Sequence, residues 1–181
     1  MKRSYLVLGL LILIISCKNN SYKKASIYDS IPDKASIIIT VNDTENLKTN
    51  INNNDFISSI SPSSFYKNLS KKLNYLDYIN TENPVVISFL KDNKGSLQFT
   101  IATKQIENLF SIDSFSNHKI ETLQVANKET KKITFNNVVL YTTYKDSIAI
   151  PASSNKLLES LINKRNKFPY LNTLKHSKCR R

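Results

Sequence analysis

Glycine is nearly missing from this chain. It occurs twice in 181 residues, and only Gly95 lies beyond the amino-terminal segment. A phosphate-cradling loop or a dinucleotide fingerprint needs several glycines at fixed spacing, so both are excluded. Tryptophan is absent, and Met1 is the single methionine. Histidine occurs only at His118 and His176, and cysteine only at Cys17 and Cys179. No two histidines share a helical turn and no Cys-x-x-Cys occurs, so the ligand spacing of a zinc site is missing. The sequence therefore predicts no cofactor and no metal. No Gly-x-Ser-x-Gly elbow occurs either. No apolar run reaches the roughly 18 residues at which a segment reads as a bilayer-spanning helix.

What is present at the amino terminus is MKRSYLVLGLLILIISC. Lys2 and Arg3 give a positive start, and Tyr5 to Ile15 is an apolar run of signal-core length. It closes on Ile14-Ile15-Ser16-Cys17. These four positions resemble the lipobox of bacterial lipoproteins. That resemblance implies a cleaved signal peptide at 1–16 and a lipidated cysteine at Cys17. The thiol would become a thioether to a diacylglyceryl group, with further acylation of the new amino terminus. One acyl chain holds a protein only marginally on a membrane, whereas two or three hold it stably. Lys18 stands where aspartate signals inner-membrane retention in enterobacterial lipoproteins. The expected location is the outer membrane, facing the periplasm. The alternative is the cell surface, but no acidic cluster follows Cys17.

The formal net charge of +12 invites a nucleic-acid reading, but the charge sits in the wrong places. Between Ala25 and Glu159, fourteen lysines face fourteen carboxylates and there is no arginine. The excess lies in Lys2 and Arg3, in Lys18, Lys23 and Lys24, and in a tail from Lys164 to Arg181 that contains no acid. A basic terminus suits an anionic membrane surface. No nucleic-acid partner is expected. With Cys17 spent on lipid, Cys179 has no cysteine left to pair with inside the chain.

The expected organisation is a signal peptide at 1–16, a lipidated tether at 17–30, a single domain at 31–163 and a basic tail at 164–181. Ser36 to Val41 (SIIITV) predicts a strand, and its unbroken apolarity predicts a central position buried on both faces. Asn42-Asp43-Thr44 stops it, and Leu47 and Ile51 predict a helix from about Glu45. Ser61-Pro62 opens a second helix, on which Phe65, Leu69, Leu73 and Leu76 form one face. Two apolar runs flank Lys91 to Ser96 as a hairpin turned by Gly95. Gln105 to Phe110 suggests a short helix. Ile120–Ala126, Lys132–Phe135, Val138–Tyr144 and Ser147–Pro151 predict four strands joined by polar turns. Asn155 to Lys164 closes the pattern as a helix. Strands in blocks with helices between them predict an α+β fold, with a largely antiparallel mixed sheet and helices packed on one face.

Candidate catalytic groups are sparse. His118 with Asp113 and a serine would make a triad only on paper. Asp43 and Glu45 could serve acid–base chemistry, yet helix capping explains them more simply. Tyr66, Tyr75, Tyr78, Tyr141 and Tyr144 could line a cleft, but they suit core and sheet packing better. No catalytic residue is therefore assigned.

The run Ile31 to Ile60, IPDKASIIITVNDTENLKTNINNNDFISSI, resembles the start of an uncharacterised lipoprotein family of flavobacteria and other Bacteroidetes. There a lipobox is followed by Ile-Pro-x-x-Ala-Ser, a strand, an Asn/Asp stop and a helix ending near Asn-Asn-Asp-Phe. Ile148 to Ile162 resembles the closing strand and helix of a domain of unknown function in bacterial envelope proteins. The resemblance implies fold and location, and it carries no functional residues. Members of that family are often longer, so the ending Lys175 to Arg181 raises the expectation of a truncated reading frame. The function expected is a non-enzymatic structural or partner-binding role on the envelope, with an envelope protein as partner. The alternative is an envelope hydrolase or a carbohydrate-processing accessory.

Overall fold

The computed structural model of the protein describes residues 25–43, 59, 62–104, 107–112 and 116–164. The signal segment, Cys17, the helix expected from Glu45 and the tail beyond Lys164 lie outside these residues. The fold is α+β and consists mostly of sheet. Its strands are β1 (Ile37–Val41), β2 (Val85–Lys91), β3 (Leu97–Lys104), β4 (Lys119–Val125), β5 (Lys128–Phe135), β6 (Val138–Lys145) and β7 (Ile148–Ala152). They form one seven-stranded sheet in the order β1-β2-β3-β7-β6-β5-β4. Every pairing is antiparallel, so the sheet is not mixed. Two meanders, β1 to β3 and β4 to β7, dock edge to edge through β3 and β7.

Turn chemistry sets the second meander. Val125 pairs with Lys128, Phe135 with Val138 and Lys145 with Ile148, so each hairpin has a two-residue loop. Both loop residues have positive φ in every case: Ala126 and Asn127, Asn136 and Asn137, Asp146 and Ser147. That is the backbone of a type I′ turn, whose twist matches that of the flanking strands. Asn and Asp tolerate the left-handed region best among the non-glycine residues. A chain with almost no glycine thus still closes three tight hairpins.

Two helices flank the sheet. Helix α1 (Ser64–Leu73) is capped by Ser63, whose hydroxyl accepts from the Tyr66 N–H, and it tightens into a 3₁₀ segment at Asn74–Tyr78. Its Leu69 and Leu73, with Leu76 beyond, pack on Val85, Ile87, Phe89, Phe99, Ile101, Ile133, Phe135 and Leu140. Helix α2 (Asn155–Ile162), capped by Ser154, sets Leu157, Leu158 and Leu161 against Ala102, Ile148, Ile150 and Ala152. Alternation along β7 separates the two packings: Ile148 and Ile150 meet α2, whereas Ala149 lies in the α1 core. The helices therefore cover opposite faces, not one face as expected. The reason is visible in β2, β3 and β7, where both side-chain rows are buried. A sheet whose central strands are apolar on both rows must be covered twice.

Three other expectations change. Strand β1 is an edge strand. Its apolar run still has cover on both faces, because Ile37 and Ile39 join the α1 core while Ile38 packs with Ile31 and Val86. Residues 107–110 are not helical: Asn108 has φ +51°, and Phe110 bridges Ile79 in extended pairing. This crossover carries Leu109 and Ile112 into the core on the way from β3 to the far edge. The folded unit also begins before residue 31. Ser26 and Asp29 form a reciprocal capping box around a 3₁₀ turn, Ile27–Ser30, which packs beside α2.

Candidate functional site

At one end of the α2 face, three segments surround an open cleft of about 550 Å³. One wall is the loop Pro32-Asp33-Lys34, the second is the β2–β3 hairpin tip, and the third is α2. That volume falls within the roughly 300–1,000 Å³ of small-molecule sites.

The hairpin tip is built around Asp92. Its Oδ1 accepts from the Ser96 N–H at 2.8 Å and the Lys94 N–H at 2.9 Å, and its Oδ2 accepts from Gln98 Nε2 at 3.2 Å. The Gly95 N–H donates to the Asp92 carbonyl, and Gly95 holds φ +78°. A short aspartate hydrogen-bonding its own downstream amides is a turn device that glycine completes. The Ser96 N–H above all, with those of Lys94 and Gln98, holds the Asp92 carboxyl below the usual carboxylate range, against the opposing effect of desolvation. An ionised carboxylate only accepts. Gln98 must then present its NH₂ to Asp92, and its carbonyl turns to Ser153. The Ser153 hydroxyl donates to Gln98 Oε1 at 2.7 Å and accepts from the Phe99 N–H at 2.9 Å. The Ser153 N–H closes the junction on the Phe99 carbonyl at 3.0 Å. Hairpin tip and α2 are thereby joined through one polar chain.

The opposite wall is fixed by Lys164. Its side chain is only 6% exposed, and its Nζ donates to the Ile31 carbonyl at 2.6 Å and to Asp33 Oδ1 at 2.9 Å. Asp33 itself is largely solvated. The end of α2 is thus tied to the loop that precedes β1.

Between these walls, Leu90, Leu157, Leu161 and Pro32 give an apolar floor. Lys34, Lys91, Lys94 and Lys156 lie on the rim, all exposed. None of these four enters an ion pair among the described residues. The acids only partly offset the rim: Asp33 is engaged by Lys164, Asp92 attracts Lys94, and the five lysines of the lining outnumber these two carboxylates. The cleft is apolar below and cationic above.

The residues weighed from sequence lie elsewhere. His118 is exposed just before β4, and its suggested partner Asp113 is outside the described residues. Asp43 is exposed after β1, and Glu45, His176, Cys17 and Cys179 are outside the described residues. The tyrosines pack. Tyr75 lies 5.1 Å from Phe99 and Tyr78 4.8 Å from Phe135, while Tyr141 and Tyr144 border the two cores. Burial raises the Tyr144 phenol above its ordinary value. None of these tyrosines lines the cleft. Among the described residues, no group of three or more His, Cys, Asp or Glu is placed to hold a metal ion. No described helix is long and apolar enough to cross a membrane.

Asp92, Gln98, Ser153 and Lys164 were not singled out by spacing or motif. The only sequence sign is Asp92 heading Asp-Asn-Lys-Gly-Ser, an Asx-turn pattern. Comparison with models of protein families, with curated proteins and with solved structures finds no match to this chain.

Proposed function

We propose that this chain is a lipid-anchored envelope protein that works by binding, with the cleft between α2 and the β2–β3 hairpin as its working surface. Lipidation at Cys17 supplies the anchor, and the outer membrane facing the periplasm is the location this reading favours. The family resemblance to flavobacterial lipoproteins is consistent with it. The observation that carries the reading is the construction of the cleft. Its walls are braced by Ser153–Gln98–Asp92 on one side and Lys164–Asp33 on the other. A braced cleft holds its shape before a ligand arrives, which reduces the ordering cost of binding. The polar groups inside it are spent on bracing. Asp92 is held ionised by three hydrogen-bond donors that belong to the hairpin itself, so its carboxylate serves the turn.

The test uses the full chain in the cells that make it, with a photoreactive residue at Asn93 on the cleft rim or at Thr122 on β4. An adduct from position 93 and none from 122 supports the reading. Equal adducts, or none from 93, contradict it. In parallel, Cys17→Ser is expected to move the protein out of the detergent phase. Unchanged partitioning would refute the anchor.

A further inference from the structure

We infer that the cleft accepts a single-chain anionic amphiphile, an acyl chain carrying one carboxylate or phosphate head. This rests on the reading of the cleft as the binding surface and adds the ligand class. The two halves of the site argue it together. Leu90, Leu157, Leu161 and Pro32 supply an apolar floor that has no hydrogen bond to offer a sugar or a peptide backbone. Side-chain burial from water is the interaction such a floor can give, and it scales with the methylenes covered. The rim differs. Lys34, Lys91, Lys94 and Lys156 come from three separate segments, and all four are without ion-pair partners among the described residues. Five lysines against two carboxylates, Asp33 and Asp92, leave the lining with three positive charges in excess, which raise the local potential and attract an anion.

A purely apolar ligand leaves the rim unused. A nucleic acid or an acidic peptide leaves the leucines unused and also needs a longer track than this cleft. An amphiphile with its chain on the floor and its anionic head at the rim uses both. The lysine stems suit this arrangement, because their methylenes can lie along the acyl chain while the ammonium groups stay in water. The charge is in excess of what the fold employs. Lys164, the one buried cation of the cleft, is already committed to Ile31 and Asp33. It is a wall support, and the head group belongs to the four outer lysines.

The experiment is photolabelling of the full chain, kept in a neutral maltoside detergent, with a diazirine-bearing dodecanoate, followed by mapping of the labelled peptides. One label per chain is expected, within residues 31–34, 90–98 or 154–164. Unlabelled dodecanoate and dodecyl phosphate should compete, and dodecanol should not. Stronger competition by the carboxylate points to a free fatty acid, and stronger competition by the phosphate points to a phospholipid-derived anion. Lys94→Glu with Lys156→Glu, both at exposed positions outside the ion pairs among the described residues, should lower labelling by roughly tenfold. Added salt should weaken labelling of the parent chain and leave the double variant nearly unchanged. Equal competition by dodecanol, labelling scattered over both faces, or undiminished labelling of the double variant would overturn the inference. A protein adduct from Asn93 together with no dodecanoate labelling would overturn the ligand class alone and leave the binding surface standing.

Discussion

The Ser153 hydroxyl gives its proton to Gln98 at 2.7 Å and takes the Phe99 amide proton at 2.9 Å, so one side chain fastens α2 to the β2–β3 hairpin. Phe99 is almost wholly buried, and its N–H has this hydroxyl as its partner. Ser153→Ala removes the acceptor and leaves the amide unpaired, at a cost of about 1–3 kcal/mol. Ser160→Ala, at an exposed position on α2, is expected to cost less. Urea unfolding of the two variants measures the difference. Equal midpoints would show that the junction does not brace the fold.

Lys164 is the matching brace on the other wall. Lys164→Met preserves most of its volume but leaves the Ile31 carbonyl without its 2.6 Å donor and frees Asp33. The expected loss is about 1–3 kcal/mol. Asp33→Asn, at a solvated position, should cost well under half of that, because exposed ion-pair partners contribute little. Thermal unfolding of both variants tests this order.

Asp92 sets an acid limb. Its carboxyl titrates below the ordinary value because the Ser96 N–H and its neighbours stabilise the ionised form. The unfolded chain therefore takes up its proton at higher pH than the folded chain, and stability rises with pH through that interval. The contribution is fully present above the ordinary value of about 4 and is lost as pH falls through the lowered one. Asp92→Asn should flatten this part of the stability profile while leaving the neutral-to-alkaline part parallel to the parent. An unchanged acid limb in the variant would place the effect elsewhere.

The first hairpin of the second meander carries avoidable strain. Ala126 has φ +47° and no polar side chain to ease it. A left-handed alanine costs about 1–2 kcal/mol, and glycine gives back about 0.4–1 kcal/mol through the freer unfolded chain. Ala126→Gly should therefore stabilise the protein by up to roughly 1 kcal/mol. A clear loss in urea unfolding would mean that the turn is not held in this conformation.

Much of the fold is legible in local chemistry. Asn136-Asn137 announces a tight turn and leucines at helical spacing announce the buried faces, whereas Ser61-Pro62 marks the first helix too early, since Ser63 caps it and Pro62 lies before it, and Lys145-Asp146 places the last turn one residue early. Strand position is less legible. The run Ile37-Ile38-Ile39 reads as central because both rows are apolar, yet it lies at the edge, covered on one face by the α1 core and on the other by Ile31. Gln105 to Phe110 reads as a short helix, whereas Asn108 in the left-handed region and the extended pairing of Phe110 with Ile79 exclude one over residues 107–110. The cleft is the least legible part. Lys164 meets Ile31 across 133 positions, and Ser153 meets Gln98 across 55, with no periodicity to link either pair. Such pairs exist only once β3 and β7 have docked.

The central claim is that the cleft is the surface that binds. Backbone NMR shifts of the full chain, followed as dodecanoate is added, test this most directly. The shifts should concentrate at Lys34, Leu90 to Lys94 and Lys156 to Leu161 and saturate at one ligand per chain. Shifts centred instead on the opposite face, around α1 or the half-exposed Ile120, or no saturable shift at all, would contradict it.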